Sequence, residues 1–137
     1  MMMMSDELCV RWGWLKFMYA YTLVGAGSFG LATLMSPQSV ISMMKMPEQD
    51  VVMLDVYAAL SVGFALLSIL GLRAPLKFVP VLCLQLLYKV IWLLVVVLPA
   101  LVVGELPQYV LVLTVIFVTY VIGDLIAIPF GYVFSKE

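Results

Sequence analysis

Apolar residues run along this chain in four long blocks, and prolines, glycines and charges gather in the short segments between them. The blocks cover about residues 13–35, 51–72, 76–98 and 108–130. Each is near the roughly 20 residues that an α-helix needs to cross the hydrocarbon core of a bilayer. The pattern predicts four transmembrane helices and leaves no room for a soluble domain. Residues 1–137 are therefore read as one all-α membrane domain.

The connecting segments predict the order of the helices. Gly71 and Arg73-Ala74-Pro75 make a turn too tight for anything but a hairpin, so spans two and three are antiparallel neighbours. Span three reads as ending at Pro99. The loop through Gly104-Glu105-Leu106-Pro107 is short, so spans three and four are neighbours as well. An up-down-up-down four-helix bundle follows. Ser36-Pro37 ends span one and can open a new helix, with Ser36 as N-cap and Pro37 at N1. The apolar residues Val40 to Met46 then form a short helix in the membrane interface, or a loop tucked onto the bundle. Pro47-Glu48-Gln49-Asp50 reads as the first turn of span two, where acidic side chains complement the positive end of the helix dipole.

Composition sharpens the class. Of 137 residues, 66% are hydrophobic and 11% charged, and the mean hydropathy is +1.20. Soluble domains carry about 25% charged residues. The net charge of −1 offers no basic surface for nucleic acid. Histidine is absent, which removes the commonest general base and metal ligand. The two cysteines, Cys9 and Cys83, lack CxxC spacing, so neither zinc nor a thioredoxin-like pair is indicated. No metal site and no catalytic constellation is expected. Met1 to Asp6 reads as a mobile leader. The first block is span-length, without an A-x-A-like cleavage site, so it reads as a retained span.

Basic residues set an orientation. Arg11 and Lys16 precede span one, Arg73 and Lys77 lie between spans two and three, and Lys136 follows span four. Only Lys45 lies on the opposite side. The positive-inside rule places both termini and the 72–77 turn in the cytoplasm.

Polar residues inside the spans are the candidates for function. Lys89 stands near the middle of span three, where an ammonium costs about 2.5–3.5 kcal/mol on insertion scales. Gln85, Tyr88 and Trp92 share its helix face. At about 1.5 Å per residue, Lys89 lies roughly 18 Å beyond Lys77, close to mid-membrane. Asp124 of span four lies roughly 12 Å from Tyr132 along its helix, and Tyr120 lies one turn from it. Asp55 of span two lies just over one turn inside Asp50. Asp124 is the expected ionic partner of Lys89, with Asp55 as the alternative, and the two can bracket it. Such a cluster can fix helix register, contact a ligand such as a quinone, lipid head group or anionic substrate, or relay protons.

Span one carries two further patterns. Thr22, Ala26, Gly30 and Thr33 repeat at helical spacing, a small-residue stripe that lets another helix approach closely. Gly25-Ala26-Gly27-Ser28-Phe29-Gly30 fits G-x-G-x-x-G, but a dinucleotide fingerprint needs a preceding strand and a water-facing crevice. Here the glycines sit inside a spanning helix, and packing is the reading.

The short basic lead into span one, Ser36-Pro37 after it, and Ser61-Val62-Gly63-Phe64-Ala65-Leu66-Leu67-Ser68-Ile69-Leu70-Gly71-Leu72-Arg73 give the chain a resemblance. It resembles the DoxX-like family of small four-span bacterial membrane proteins. That resemblance implies a multi-pass protein of the bacterial inner membrane, loosely tied to respiratory quinol and thiol-redox systems and often the partner of other proteins. It carries no functional residue over. Asp55 is at best a shifted counterpart of the family's second-span acid. Two functions are expected from the whole reading. The first is a non-catalytic accessory subunit or partner protein, in a homo-oligomer or with other subunits, with a bound lipid or quinone. The second is a small proton-coupled transporter or channel using Lys89 with Asp124 and Asp55.

Overall fold

The computed structural model describes residues 10–136, so the expected leader Met1–Asp6 and Cys9 lie outside the described residues. The chain forms α1 (Trp12–Met35), α2 (Pro37–Met43), α3 (Val51–Arg73), α4 (Val79–Trp92), a π-helical segment (Leu93–Val97), α5 (Leu98–Val103), α6 (Gln108–Ala127) and α7 (Phe130–Val133). The α4, π-helical and α5 segments join into one 25-residue helix. Four helices, Trp12–Met35, Val51–Arg73, Val79–Val103 and Gln108–Ala127, are thus long and apolar enough to cross a membrane. A helix satisfies its backbone groups within itself, which hydrocarbon demands because it offers no water to do so.

Proline sets most of the boundaries. A residue before proline is pushed out of the helical region. Accordingly α1 stops before Ser36 (ψ 80°), α3 before Ala74 (ψ 76°) and α6 before Ile128 (ψ 125°), each followed by proline. The fourth span therefore ends at Ala127, short of the expected residue 130.

Pro99 behaves differently. It was expected to end the third span, yet the helix continues to Val103 and stops where Gly104 turns left-handed at φ 86°. Proline inside a helix lacks an N–H and its ring presses on the carbonyl four residues back. The wider turn just before it relieves that conflict. Leu98 donates its N–H to the Leu93 carbonyl, five residues back, in place of the usual four.

The expected first turn at Pro47–Asp50 is also corrected. The helix starts at Val51, and Asp50 is its N-cap, accepting from the Val52 and Met53 N–H groups at 2.9 and 3.4 Å. A carboxylate there satisfies two donors the helix cannot pair itself. The 37–43 segment is helical and partly packed, with Val40 and Ile41 buried and Met43 exposed. Its N-terminal Ser36 hydroxyl bonds Ser39 at 2.7 Å and does not cap the backbone.

Packing centres on α1. It lies along α3 and also contacts α6 and α2, and α4 packs on α6 and α3. Gly27 and Gly30 of α1 serve that first contact. Thr22, Gly30 and Thr33 are buried and Ala26 is half-buried. A Cβ on Gly30 would sit 2.7 Å from both the Ala58 carbonyl oxygen and Val62 Cγ2. Along this stretch the helix that Gly30 admits is α3 of the same chain. The glycines of the G-x-G-x-x-G string have the same explanation: Gly25 lies against the Tyr120 hydroxyl and Gly27 against Ala65. The buried core joins Leu15, Met18 and Tyr19 of α1 to Val79 and Leu82 of α4 and Tyr120 of α6. Outside it the apolar surface is broad. In the third span only 11% of the most apolar 18-residue stretch is buried within the chain, which leaves most of its surface for lipid.

Candidate functional site

The polar residues of the spans fall into two layers. In the first, Gln85 of α4 reaches across to both neighbouring helices. Its Nε2 donates to Thr22 Oγ1 of α1 at 3.1 Å and to Asp124 Oδ2 of α6 at 3.2 Å. The Thr22 hydroxyl donates back to Gln85 Oε1 at 3.3 Å. All three side chains are buried. Asp124 Oδ1 is buried too and has no hydrogen-bond partner.

The second layer lies one turn along α4. Lys89 is 4% exposed, which rules out escape to water. Its Nζ donates to the Tyr88 hydroxyl at 2.6 Å. It also lies 4.3, 4.7 and 4.5 Å from the ring centroids of Tyr88, Phe117 and Tyr120. Rings within about 6 Å attract a cation through their quadrupole, most strongly where water is excluded. Three aromatic rings and one phenol oxygen therefore offset the desolvation of the ammonium.

The expected ion pair between Lys89 and Asp124 is corrected by this geometry. Gln85, not Lys89, is the hydrogen-bond partner of Asp124. Helical rise supplies the reason. The depth difference expected between Lys89 and Asp124 was about 6 Å, which is also the rise of four residues. Gln85, four residues before Lys89, is therefore level with Asp124 and intercepts it. Asp55 does not bracket the lysine by hydrogen bonding either. It is half-buried on α3, and its Oδ1 is buried without a hydrogen-bond partner.

Beside the lysine layer opens a cavity of about 720 Å³. Its aromatic walls are Phe29 of α1, Tyr57 of α3, Tyr88 and Trp92 of α4, and Tyr109 and Phe117 of α6. The rings support one another. Trp92 meets Phe117 edge-on at 5.0 Å, and Phe29 meets Tyr57 at 5.5 Å. Gln49 and Asp50 also line it, but Asp50 is engaged in capping α3. The volume lies in the range of about 300–1,000 Å³ typical of small-molecule sites, and a mainly apolar wall with few polar groups is their usual make-up. Tyr88 and Phe117 belong both to this wall and to the lysine cage.

Comparison of the chain with family models, with curated proteins and with solved structures finds no match in any of the three. The site is therefore read from its own chemistry.

Of the candidate residues, Gln85 and Asp124 form the first layer, Lys89, Tyr88 and Tyr120 the second, and Trp92 lines the cavity with Tyr88. Asp55 stands outside both hydrogen-bonded layers. Four aromatic wall residues were not singled out from sequence: Phe29, Tyr57, Tyr109 and Phe117. Phe117 had a signal, since it lies three residues before Tyr120 and so shares its face. Thr22 was read as a packing residue, and it also carries a buried hydrogen bond. Among the described residues no cluster of three metal-ligating side chains occurs. Cys83 is a half-buried free thiol.

Proposed function

We propose that this multi-pass membrane protein is non-catalytic and holds an apolar ligand, a lipid or a quinone, in the aromatic cavity between its helices. The observation that carries the reading is the cavity of about 720 Å³ with six aromatic residues in its wall. The proposed setting is an accessory subunit or partner in a redox-linked complex of a bacterial inner membrane, in line with the resemblance of residues 61–73 to DoxX-like proteins. The proposed topology is up-down-up-down with both termini cytoplasmic. Two contacts support the up-down-up-down order, though not the side of the membrane: Arg11 donates to the Ile126 carbonyl at 2.9 Å, and Tyr19 donates to the Pro75 carbonyl at 2.7 Å. These join the start of α1 to the end of α6 and to the turn after α3. The small residues of α1 lend the partner reading less support than their spacing promised, because Gly30 faces α3.

The test is purification from native membranes in mild detergent, followed by mass determination. A lipid- or quinone-sized adduct on the chain, within a larger assembly, is expected. A bare monomer that gains no adduct when total membrane lipid extract is added back would refute the ligand-holding role.

A second reading, a proton-coupled transporter, is favoured by one observation, the unpartnered Oδ1 of buried Asp124 one layer from Lys89. Proton-driven flux in vesicles that is lost in Asp124→Asn would favour it.

A further inference from the structure

Lys89 lies against Tyr88 and Phe117, two residues of the cavity wall, and does not itself line the cavity. We infer that Lys89 is a positioning residue acting through Tyr88, and that together they make the cavity select neutral ring compounds bearing a hydrogen-bond-accepting oxygen over cations. The inference rests on the ligand-holding reading above.

The argument starts with the Tyr88 oxygen. It accepts a 2.6 Å hydrogen bond from the Lys89 ammonium. An oxygen that accepts a charge-assisted bond is depleted of electron density, and its own O–H becomes a stronger donor, as in any polarised hydrogen-bond chain. Tyr88 lines the cavity beside Tyr57, and its own hydrogen is not used in the bond from Lys89. A carbonyl or ether oxygen on a flat ring system suits that donor, since the rings of Trp92 and Phe117 supply stacking and edge contacts for the rest of the molecule.

The second step concerns charge. An aromatic-walled cavity is otherwise a good host for quaternary ammonium groups. Here two of the six wall rings, Tyr88 and Phe117, already face the Lys89 ammonium. The Lys89 ammonium lies 4.7 Å from the centroid of Phe117, another wall residue, so its charge is felt across the wall. A guest cation would meet like charge in a low-dielectric setting. Asp50, the acid of the lining, is held at the N-terminus of α3, where its Oδ1 accepts from two backbone N–H groups and the positive end of the helix dipole offsets part of its charge. Charge and hydrogen bonding thus point to the same guest.

The test uses three probes of one shape: naphthalene, methyl 2-naphthyl ketone and trimethyl(2-naphthylmethyl)ammonium. Binding to the purified full chain is measured by titration calorimetry in detergent, against empty micelles. The wild type is expected to bind the ketone about tenfold more tightly than naphthalene, the upper end of what one neutral hydrogen bond contributes, and the cation most weakly. Tyr88→Phe keeps the ring and its packing. It should bring the ketone down to the naphthalene level and leave naphthalene unchanged. Lys89→Gln should raise affinity for the cation at least tenfold, an effect that mere loss of structure cannot produce. Equal binding of ketone and cation by the wild type, or an unchanged ketone affinity in Tyr88→Phe, would overturn the inference and leave the ligand-holding reading intact. Failure of naphthalene itself to bind would defeat both.

Discussion

Replacing Gln85 by leucine should be among the more damaging single changes available in this chain, and the structure sets its size. The change removes the bond from Nε2 to Asp124 Oδ2 at 3.2 Å and the reciprocal contacts with Thr22 at 3.1 and 3.3 Å. Asp124 Oδ1 already has no hydrogen-bond partner, so the substitution strips the carboxyl group of its remaining one at a fully buried position. A hydrogen bond to a charged group contributes about 1.5–3 kcal/mol, and a neutral side-chain bond between membrane helices averages about 0.6 kcal/mol. The expected loss is therefore about 2–4 kcal/mol. A double-mutant cycle separates the parts. Gln85→Leu, Asp124→Leu and the pair would be unfolded in mixed micelles of rising SDS fraction. The coupling energy should be about 1.5–3 kcal/mol. If Gln85→Leu costs the same in both backgrounds to within about 0.5 kcal/mol, the scatter of independent sites, the two side chains do not interact and the first layer is wrongly assigned.

Three further outcomes follow from the packing and the caps. Gly30→Ala should cost about 1–3 kcal/mol, because the added methyl meets the Ala58 carbonyl and Val62 at 2.7 Å; the same unfolding titration reads it. Asp50→Ala should cost about 1 kcal/mol and speed hydrogen exchange at the Val52 and Met53 amides, with amides near Arg73 unaffected. Thr33→Val should leave stability unchanged or raise it by about 1 kcal/mol, since the Thr33 hydroxyl is fully buried without a partner; a loss of more than that would mean the hydroxyl has one.

Much of the helical architecture can be read before any coordinates. Apolar runs of bilayer length mark the four spans, and Ser36-Pro37, Ala74-Pro75 and Ile128-Pro129 mark where helices stop. Pro99 misleads because one residue cannot reveal whether its missing donor ends a helix or is absorbed by a wider turn. The polar faces of α4 and α6 are legible through i, i+4 spacing, which is why Gln85, Lys89, Tyr120 and Asp124 meet across one interface. Which of them bond is not legible. Depth counted along two helices is good to about one turn, and one turn is the separation between Gln85 and Lys89. The cavity is hidden for another reason. Its wall draws residues from all four spans, and none of Phe29, Tyr57 or Tyr109 stands in a local pattern that distinguishes it from a membrane-facing aromatic.

The π-helical turn at Leu93–Val97 holds one residue more than an α-helical turn would. That surplus rotates everything beyond it by about 100° relative to an unbroken helix. A scan of the third span by single cysteines and a lipid-phase label should therefore show 3.6-residue periodicity that stops at Val97, the buried residue of that turn, and near-uniform labelling from Leu98 to Val103, where no residue is buried. An insertion or deletion at the bulge would be a switch of facing and not merely a change of length.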